Sequence, residues 1–220
     1  GHGSDRRAID HVWSPDGLLA DAGTYEFTTG SGEDRDTHTW SYVAFRLPRP
    51  MPHLVLDARG NTTKLADFTR DQRVRLGDPF DRTYALWAPA GYGQDAFQLF
   101  PPDLLEQLVA SPTTYDIEIV DRWLFLYSSG TVDFTDADTW ATIEHIQNQI
   151  VERVARSSDR YLDRRPAGAG TIATFAGDPG RPLPVAPEGR RLRTSWVPTA
   201  IGTAVMLGLV ALWHFYLRGI

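Results

Sequence analysis

TWSYVAFRL, residues 39–47, is the stretch on which the fold turns. Along an extended chain successive side chains point to opposite faces, so Ser41, Val43, Phe45 and Leu47 share one side while Trp40, Tyr42 and Ala44 take the other. Apolar residues stand on both sides, and a strand with one wet face would alternate apolar with polar instead; this run predicts a sheet covered on both faces. Just upstream, TYEFTT (24–29) is a second β-rich run, and the polar GSGEDRDTH between them makes the pair a hairpin with a long loop. Pro48, Pro50 and Pro52 are expected to stop the strand, because proline offers a ladder no amide hydrogen.

Working downstream, HLVLDA (53–58) reads as a strand with Leu54 and Leu56 on one face and His53, Val55 and Asp57 on the other, closed by the turn Arg59-Gly60-Asn61. Residues 83–87 and 97–100 are expected to be strands around the loop PAGYG (89–93). Pro102 and Asp103 at a helix start, followed by Leu104, Leu105, Leu108 and Val109 on one side, give a short amphipathic helix. Residues 115–120 and 123–127 read as a hairpin joined by the two-residue turn Asp121-Arg122. Thr135 and Asp138 are expected to form a capping box. It would open a long helix whose stripe Trp140, Ile143, Gln147, Ile150, Val154 and Tyr161 lies on the sheet, with Gln149, Glu152, Arg153, Arg156 and Arg160 in water. Upstream of the first hairpin stand only a short apolar run (9–13) and the turn Ser14-Pro15-Asp16-Gly17.

The last stretch, VPTAIGTAVMLGLVALWHFYL (197–217), carries no formal charge. At about 1.5 Å per helical residue it reaches roughly 31 Å, the thickness of a hydrocarbon core, and it is expected to span a membrane. Five Pro and five Gly among residues 164–195 mark a linker with a reach of roughly 30 Å if flexible, in which TIATF (171–175) is an optional edge strand. Arg190, Arg191 and Arg193 form a basic cluster at the membrane surface, against Arg218 alone beyond the span. By the positive-inside rule this places the soluble domain in the cytoplasm of a cell-membrane protein. Trp196 and the pair Trp213 and Tyr216 suit the two interfacial belts. Ala200, Ala204 and Gly208 recur every fourth residue, a groove through which two helices pack closely. The fold class expected is therefore α+β: an antiparallel sheet built from hairpins with a short and a long amphipathic helix, then a linker and one C-terminal transmembrane helix. Its domains are an N-terminal segment (1–23), a soluble domain (24–163), the linker (164–195) and the span (196–218). The chain opens on Gly rather than Met, and GHGS reads either as a cloning remnant or as the mark of a longer protein with further spans upstream.

With no cysteine, disulfide scaffolds, zinc-thiolate sites, iron–sulfur clusters and thiol nucleophiles are excluded. The net charge of −6 splits into +4 from residue 163 onward and −10 before it; an acidic domain on a basic stem is a poor nucleic-acid binder. Of the 22 basic residues only Lys64 is a lysine, a usage that points to a GC-rich genome rather than to phosphate chemistry. No HExxH, GxSxG or P-loop motif is present, and no cofactor or metal is expected. His53 and Asp57 share a strand face but lie about 13 Å apart along it, too far to hold one metal. His38 reads as a loop residue and His145 as a helix-surface one. Gly91-Tyr92-Gly93 reads as a plain turn, because the strand-like FQLF follows where a dinucleotide loop would open a helix. Glu33, Asp34 and Asp36 read as a solvated run, Asp78 and Asp81 as turn formers around Pro79-Phe80. Asn61-Thr62-Thr63 matches a glycosylation acceptor that a cytoplasmic domain does not use.

The phrases MPHLVLDARGN (51–61), GDPFDRTYALWAPAGYGQDAFQLFPPDLLEQL (77–108) and YDIEIVDRWLFLYS (115–128), with TGSGEDRDTHTWSY (29–42), resemble a family of uncharacterised actinobacterial membrane proteins. The likeness covers residues 24–161. It implies a soluble α+β domain paired with membrane helices, often upstream ones, and carries no catalytic residues. Two functional readings follow. The first is a non-catalytic, membrane-anchored cytoplasmic accessory or interaction module, with membrane lipid and a protein partner or its own copy as partners. The alternative is a membrane-tethered, hydrolase-like enzyme in which a carboxylate meets His53 or His38 only in three dimensions.

Overall fold

The computed structural model describes residues 4–29, 35–61, 65–163, 165 and 185–195. Among them, six strands form one antiparallel sheet: β1 (Ser4–Trp13), β2 (Leu19–Thr29), β3 (Asp36–Ala58), β4 (Arg73–Val74), β5 (Tyr84–Trp87) and β6 (Asp116–Ser129). Four short helices lie between or after the strands: α1 (Phe80–Thr83), α2 (Gly93–Leu99), α3 (Pro102–Ala110) and α4 (Ala137–Ile146). The last of these runs through a π-helical turn (Gln147–Val151) into α5 (Glu152–Asp159). The fold is α+β, as expected from the sequence.

β3 organises the sheet. Its first half pairs β2, with Thr24 opposite Ser41, and its second half pairs β5 on the same edge, with Leu56 opposite Leu86. Its other edge is filled along both halves by β6, from Trp40 opposite Ser129 to Leu56 opposite Ile117. One strand can serve two neighbours on one edge because it runs for 23 residues, and the prolines lie in the irregular stretch between them, where a bulged ladder bends. Register shifts fall between Arg46, Met51 and Leu54, so Pro48, Pro50 and Pro52 stand where the ladder is interrupted and their missing amide hydrogens cost little. The expected stop at these prolines is thus a bend inside a 23-residue strand.

β6 corrects a second expectation. Asp121-Arg122 is not a hairpin turn; residues 116–129 are a single strand whose two halves both pair with β3. Asp121 adopts φ 53°, a conformation that aspartate tolerates better than most residues, and bulges the strand opposite the bend of β3. A turn and a bulge use the same residue types, and only the partner strand distinguishes them. The expected strand at 97–100 is also corrected. Residues 97–99 belong to α2, where Ala96 and Leu99 are buried while Phe97 is exposed; the four residues FQLF are too few for either period to declare itself. At the start of α4 the cap is Asp136, whose carboxylate accepts from the amides of Asp138 and Thr139, while Thr135 is bound to Asp133 instead of closing a box.

The two-faced reading of β3 holds. Val43, Phe45, Leu47, Leu54 and Leu56 enter one core with Ile117, Ile119, Leu124 and Leu126. On it the long helix lays Ile143, Ile146, Ile150, Val151 and Val154. Trp40, Tyr42, Ala44 and Val55 enter a second core on the opposite face, with Tyr25, Phe27, Phe68, Trp123, Tyr127 and Leu192. The sheet also extends upstream of residue 24, since β1 pairs β2 and presents Val12 and Trp13 to solvent.

No helix of the described residues is long and apolar enough to cross a membrane, and residues 196–220, with Ala200, Ala204 and Gly208, lie outside the described residues, as does 171–175. Ile150 is 5 % exposed and central to the stripe, so Ile150→Ala is expected to lower stability by roughly 2 to 5 kcal/mol, read by chemical denaturation of the full chain in detergent.

Candidate functional site: a C-terminal strap on polar anchors

Residues 185–195, expected to belong to a flexible linker, are instead docked along the domain, with Val185, Ala186, Gly189 and Leu192 buried. Pro, Gly and Arg composition marks a chain that forms no regular element, but it does not determine whether that chain is free. Three anchors hold this strap.

The first lies at the start of α2. Asp163 accepts hydrogen bonds from Tyr92 Oη (2.7 Å) and from the Ala186 amide (3.0 Å) on one oxygen, and from the Arg165 amide (3.0 Å) on the other. Both ends of the excursion from 165 to 185 are therefore tied to one carboxylate. Burial pushes the Asp163 carboxyl up, but the amides, the Tyr92 hydroxyl and the Arg165 guanidinium outweigh burial and hold it below its usual value. The Arg165 guanidinium forks onto Asp95, Nη1 to Oδ1 at 2.9 Å and Nη2 to Oδ2 at 2.5 Å, while Tyr161 Oη donates to the same carboxylate at 2.8 Å. Those bonds to Asp95 keep the guanidinium above its usual value despite its burial. Its Cζ lies 3.6 Å from the centre of the Tyr92 ring, a cation–π contact. Gly189 closes against the hydroxyl end of that ring, where an added Cβ would stand 2.4 Å from Tyr92 Cζ.

The second anchor is inside the sheet. His53 Nδ1 accepts the Leu192 amide at 2.9 Å, so this nitrogen carries no proton and the ring proton is on Nε2. Nε2 donates to Glu118 Oε1 at 2.7 Å, and Tyr127 Oη donates to Glu118 Oε2 at 3.0 Å. All three side chains are within 2 % of complete burial. Burial first, and then the Glu118 charge, hold the Tyr127 phenol well above its usual value. A histidine against a carboxylate resembles a general base and its orienting group, but here both ring nitrogens are occupied by protein and water has no access.

The third is Gln72, which reads the strap backbone as a neighbouring strand would. Its Oε1 accepts the Arg193 amide at 2.8 Å and its Nε2 donates to the Arg193 carbonyl at 2.7 Å. Beside it Thr69 N donates to Arg193 O, Ser195 N donates to Asp67 O (2.7 Å), and Arg193 pairs with Asp71.

The remaining sequence candidates separate. His53 and Asp57 do not meet. His38 binds Thr29 Oγ1 (2.8 Å) and packs on Phe27, and His145 is exposed on α4. Asp81 caps the Gly77 amide and pairs Arg73, a turn former as expected. Glu33 and Asp34 lie outside the described residues. Arg190 and Arg191 are exposed, Arg190 bonding back to Val185 O. Among the described residues no group of three His, Asp or Glu side chains could hold a metal. The groove between Leu18, Pro48, Ala155 and Arg156 is shallow and open. The anchor residues Tyr92, Asp95, Glu118, Asp163 and Arg165 are absent from the sequence reading as site residues, since the pairs that assemble the anchors, Tyr92 with Asp163, Asp95 with Arg165 and His53 with Glu118, are 65 to 71 positions apart. Comparison with known proteins yields no matching family model, no matching curated protein and no matching solved structure.

One buried carboxylate stands apart from the strap. Asp116, fully buried two residues before Glu118, accepts the Ala58 amide and Asn61 Nδ2 on Oδ1 and has no partner on Oδ2. Burial pushes it up to about 7 from 3.8, against its hydrogen bonds and with help from the Asp57 charge. The folded state thus holds a proton that the unfolded chain loses, so stability is greatest below pH ~4 for this group and falls as pH rises towards 7, at up to about 1.4 kcal/mol per pH unit. Asp116→Asn, neutral at every pH, is expected to flatten that slope in denaturation curves between pH 4 and 8. The strap makes a separate prediction. Gly189→Ala is expected to speed tryptic cleavage at Arg190, Arg191 and Arg193 by roughly tenfold, from overpacking of 1 to 3 kcal/mol, whereas Gly60→Ala, whose Cβ meets nothing, leaves it unchanged.

Proposed function

We propose that this chain is a membrane-anchored, non-catalytic module that holds a rigid α+β domain on the cytoplasmic side of the cell membrane for a protein partner or a second copy of itself. The observation that supports it most is the state of His53. The one buried histidine–carboxylate pair among the described residues spends both ring nitrogens on structure, one of them on the strap that leads to the uncharged stretch 197–217. Arg190, Arg191 and Arg193, exposed ahead of that stretch, support the cytoplasmic side. The small-residue face Ala200, Ala204 and Gly208 supports contact between spans.

The reading is tested in native membranes. A cysteine replacing exposed Glu144, in a chain with no cysteine of its own, is expected to react with an impermeant maleimide only after permeabilisation. Cross-linking is expected to capture a partner or second copy, weakened by Gly208→Ile and not by Leu209→Ile. Turnover of an ester or phosphate substrate that vanishes in a folded Glu118→Gln variant would establish the hydrolase instead.

A further inference from the structure

Read from sequence, residues 164–195 give the domain some 30 Å of slack above the membrane. The strap removes that slack. Its backbone is fixed as far as Ser195, whose amide and hydroxyl both bind Asp67 O, and Thr194 bridges Phe68. The uncharged stretch begins at residue 197, so a single residue, Trp196, separates a pinned backbone from the start of the span. One residue reaches at most about 3.6 Å, and the headgroup layer on each side of a hydrocarbon core is only about 5 to 7 Å deep. A domain pinned this close has no room to stand off.

The surface at the exit has the charge for that contact. The two segments that pair there, 65–75 and 185–195, carry six Arg against three carboxylates in a chain of net charge −6. Arg70, Arg75, Arg190, Arg191 and Arg193 are exposed, and Arg193 is neutralised by Asp71. The end of the strap, with Leu192, lies on the sheet face opposite the long helix, so the helical layer is turned away from the exit.

We infer that the domain lies directly on its own leaflet, strap side down, with Arg70 and Arg191 against anionic lipid headgroups and α4–α5 turned towards the aqueous phase. This rests on reading 197–217 as a span. Within a Debye length of an anionic surface each arginine favours the docked orientation by about fivefold, so the pair is worth some twenty- to thirtyfold and is weakened by salt.

The test uses the full chain in vesicles, with single cysteines at exposed Thr194 beside the exit or at Glu144 on α4, each carrying a fluorophore, and a quencher on the lipid headgroups. The label at 194 is expected to be quenched and the label at 144 spared. Quenching at 194 should increase when phosphatidylserine is added to phosphatidylcholine, and Arg70→Gln with Arg191→Gln should abolish that increase. Release of the chain from vesicles by alkaline carbonate overturns the span and the proposal with it. Retention with equal quenching at both positions, or with no response to phosphatidylserine, overturns the proposal and leaves the span standing.

Discussion

Leu192 gives its amide proton to a histidine that has no other access to a donor, and the second face of the sheet depends on that bond. His53, Glu118 and Tyr127 lie among Val55, Tyr42, Trp123 and Phe68, where a polar group without a partner costs roughly 1 to 3 kcal/mol. Glu118 satisfies itself from within the sheet, through His53 and Tyr127. His53 cannot, because turning one nitrogen to Glu118 leaves the other facing a gap that only a segment from outside the sheet can fill. Gln72 has the same difficulty at Oε1 and the same solution in the Arg193 amide, while its Nε2 donates both to Thr69 Oγ1 and to the Arg193 carbonyl. The strap is therefore part of the core, and the described fold continues past the close of the long helix to include residues 185–195.

The constraint on the other side of the sheet is geometric. One strand, β3, reaches both cores and both neighbouring strands on its edge, and it does so by bending where three prolines excuse it from hydrogen bonding. β6 must bend with it, and Asp121 supplies the one residue of bulge that keeps Ile119 and Leu124 on the helix side although five positions separate them. Without the bulge, a strict two-residue alternation would turn Leu124 and Leu126 to the opposite face. The apolar helix stripe and the bent sheet thus fit as a pair.

Much of this was legible locally. The two faces of residues 39–47 and 53–58 follow from period two, and the stripe of the long helix follows from period 3.6, because both are written in consecutive residues. What sequence misplaced were features whose local chemistry has two outcomes: Asp121-Arg122 as turn or bulge, FQLF as strand or helix, Pro48 to Pro52 as stop or bend. The anchors were hidden for a different reason. Glu118 sits between Ile117 and Ile119 exactly as a solvent-facing residue of a half-wet strand would, and its partner His53 is 65 positions away; Leu192 is 139 from His53. A signal was present in the prediction that β3 is covered on both faces, since a strand beside it then cannot have a wet face for Asp116 and Glu118. Carrying that inference across the sheet would have marked both carboxylates as buried.

Polar anchors do something that a purely apolar strap would not. Leucine or valine on a sheet face tolerates a slip of one residue, because apolar contact is not directional. Here Ala186 must present its amide to Asp163, Gly189 its missing side chain to Tyr92, Leu192 its amide to His53 and Arg193 both its amide and carbonyl to Gln72. A shift of one position breaks all four together and takes from His53 Nδ1 and Gln72 Oε1 the strap amides that they accept. The register of the strap is consequently fixed to a single residue, and with it the point on the surface where the chain departs. On the proposed reading of residues 197–217 as a span, fixing that departure point would also fix which surface of the domain faces the bilayer.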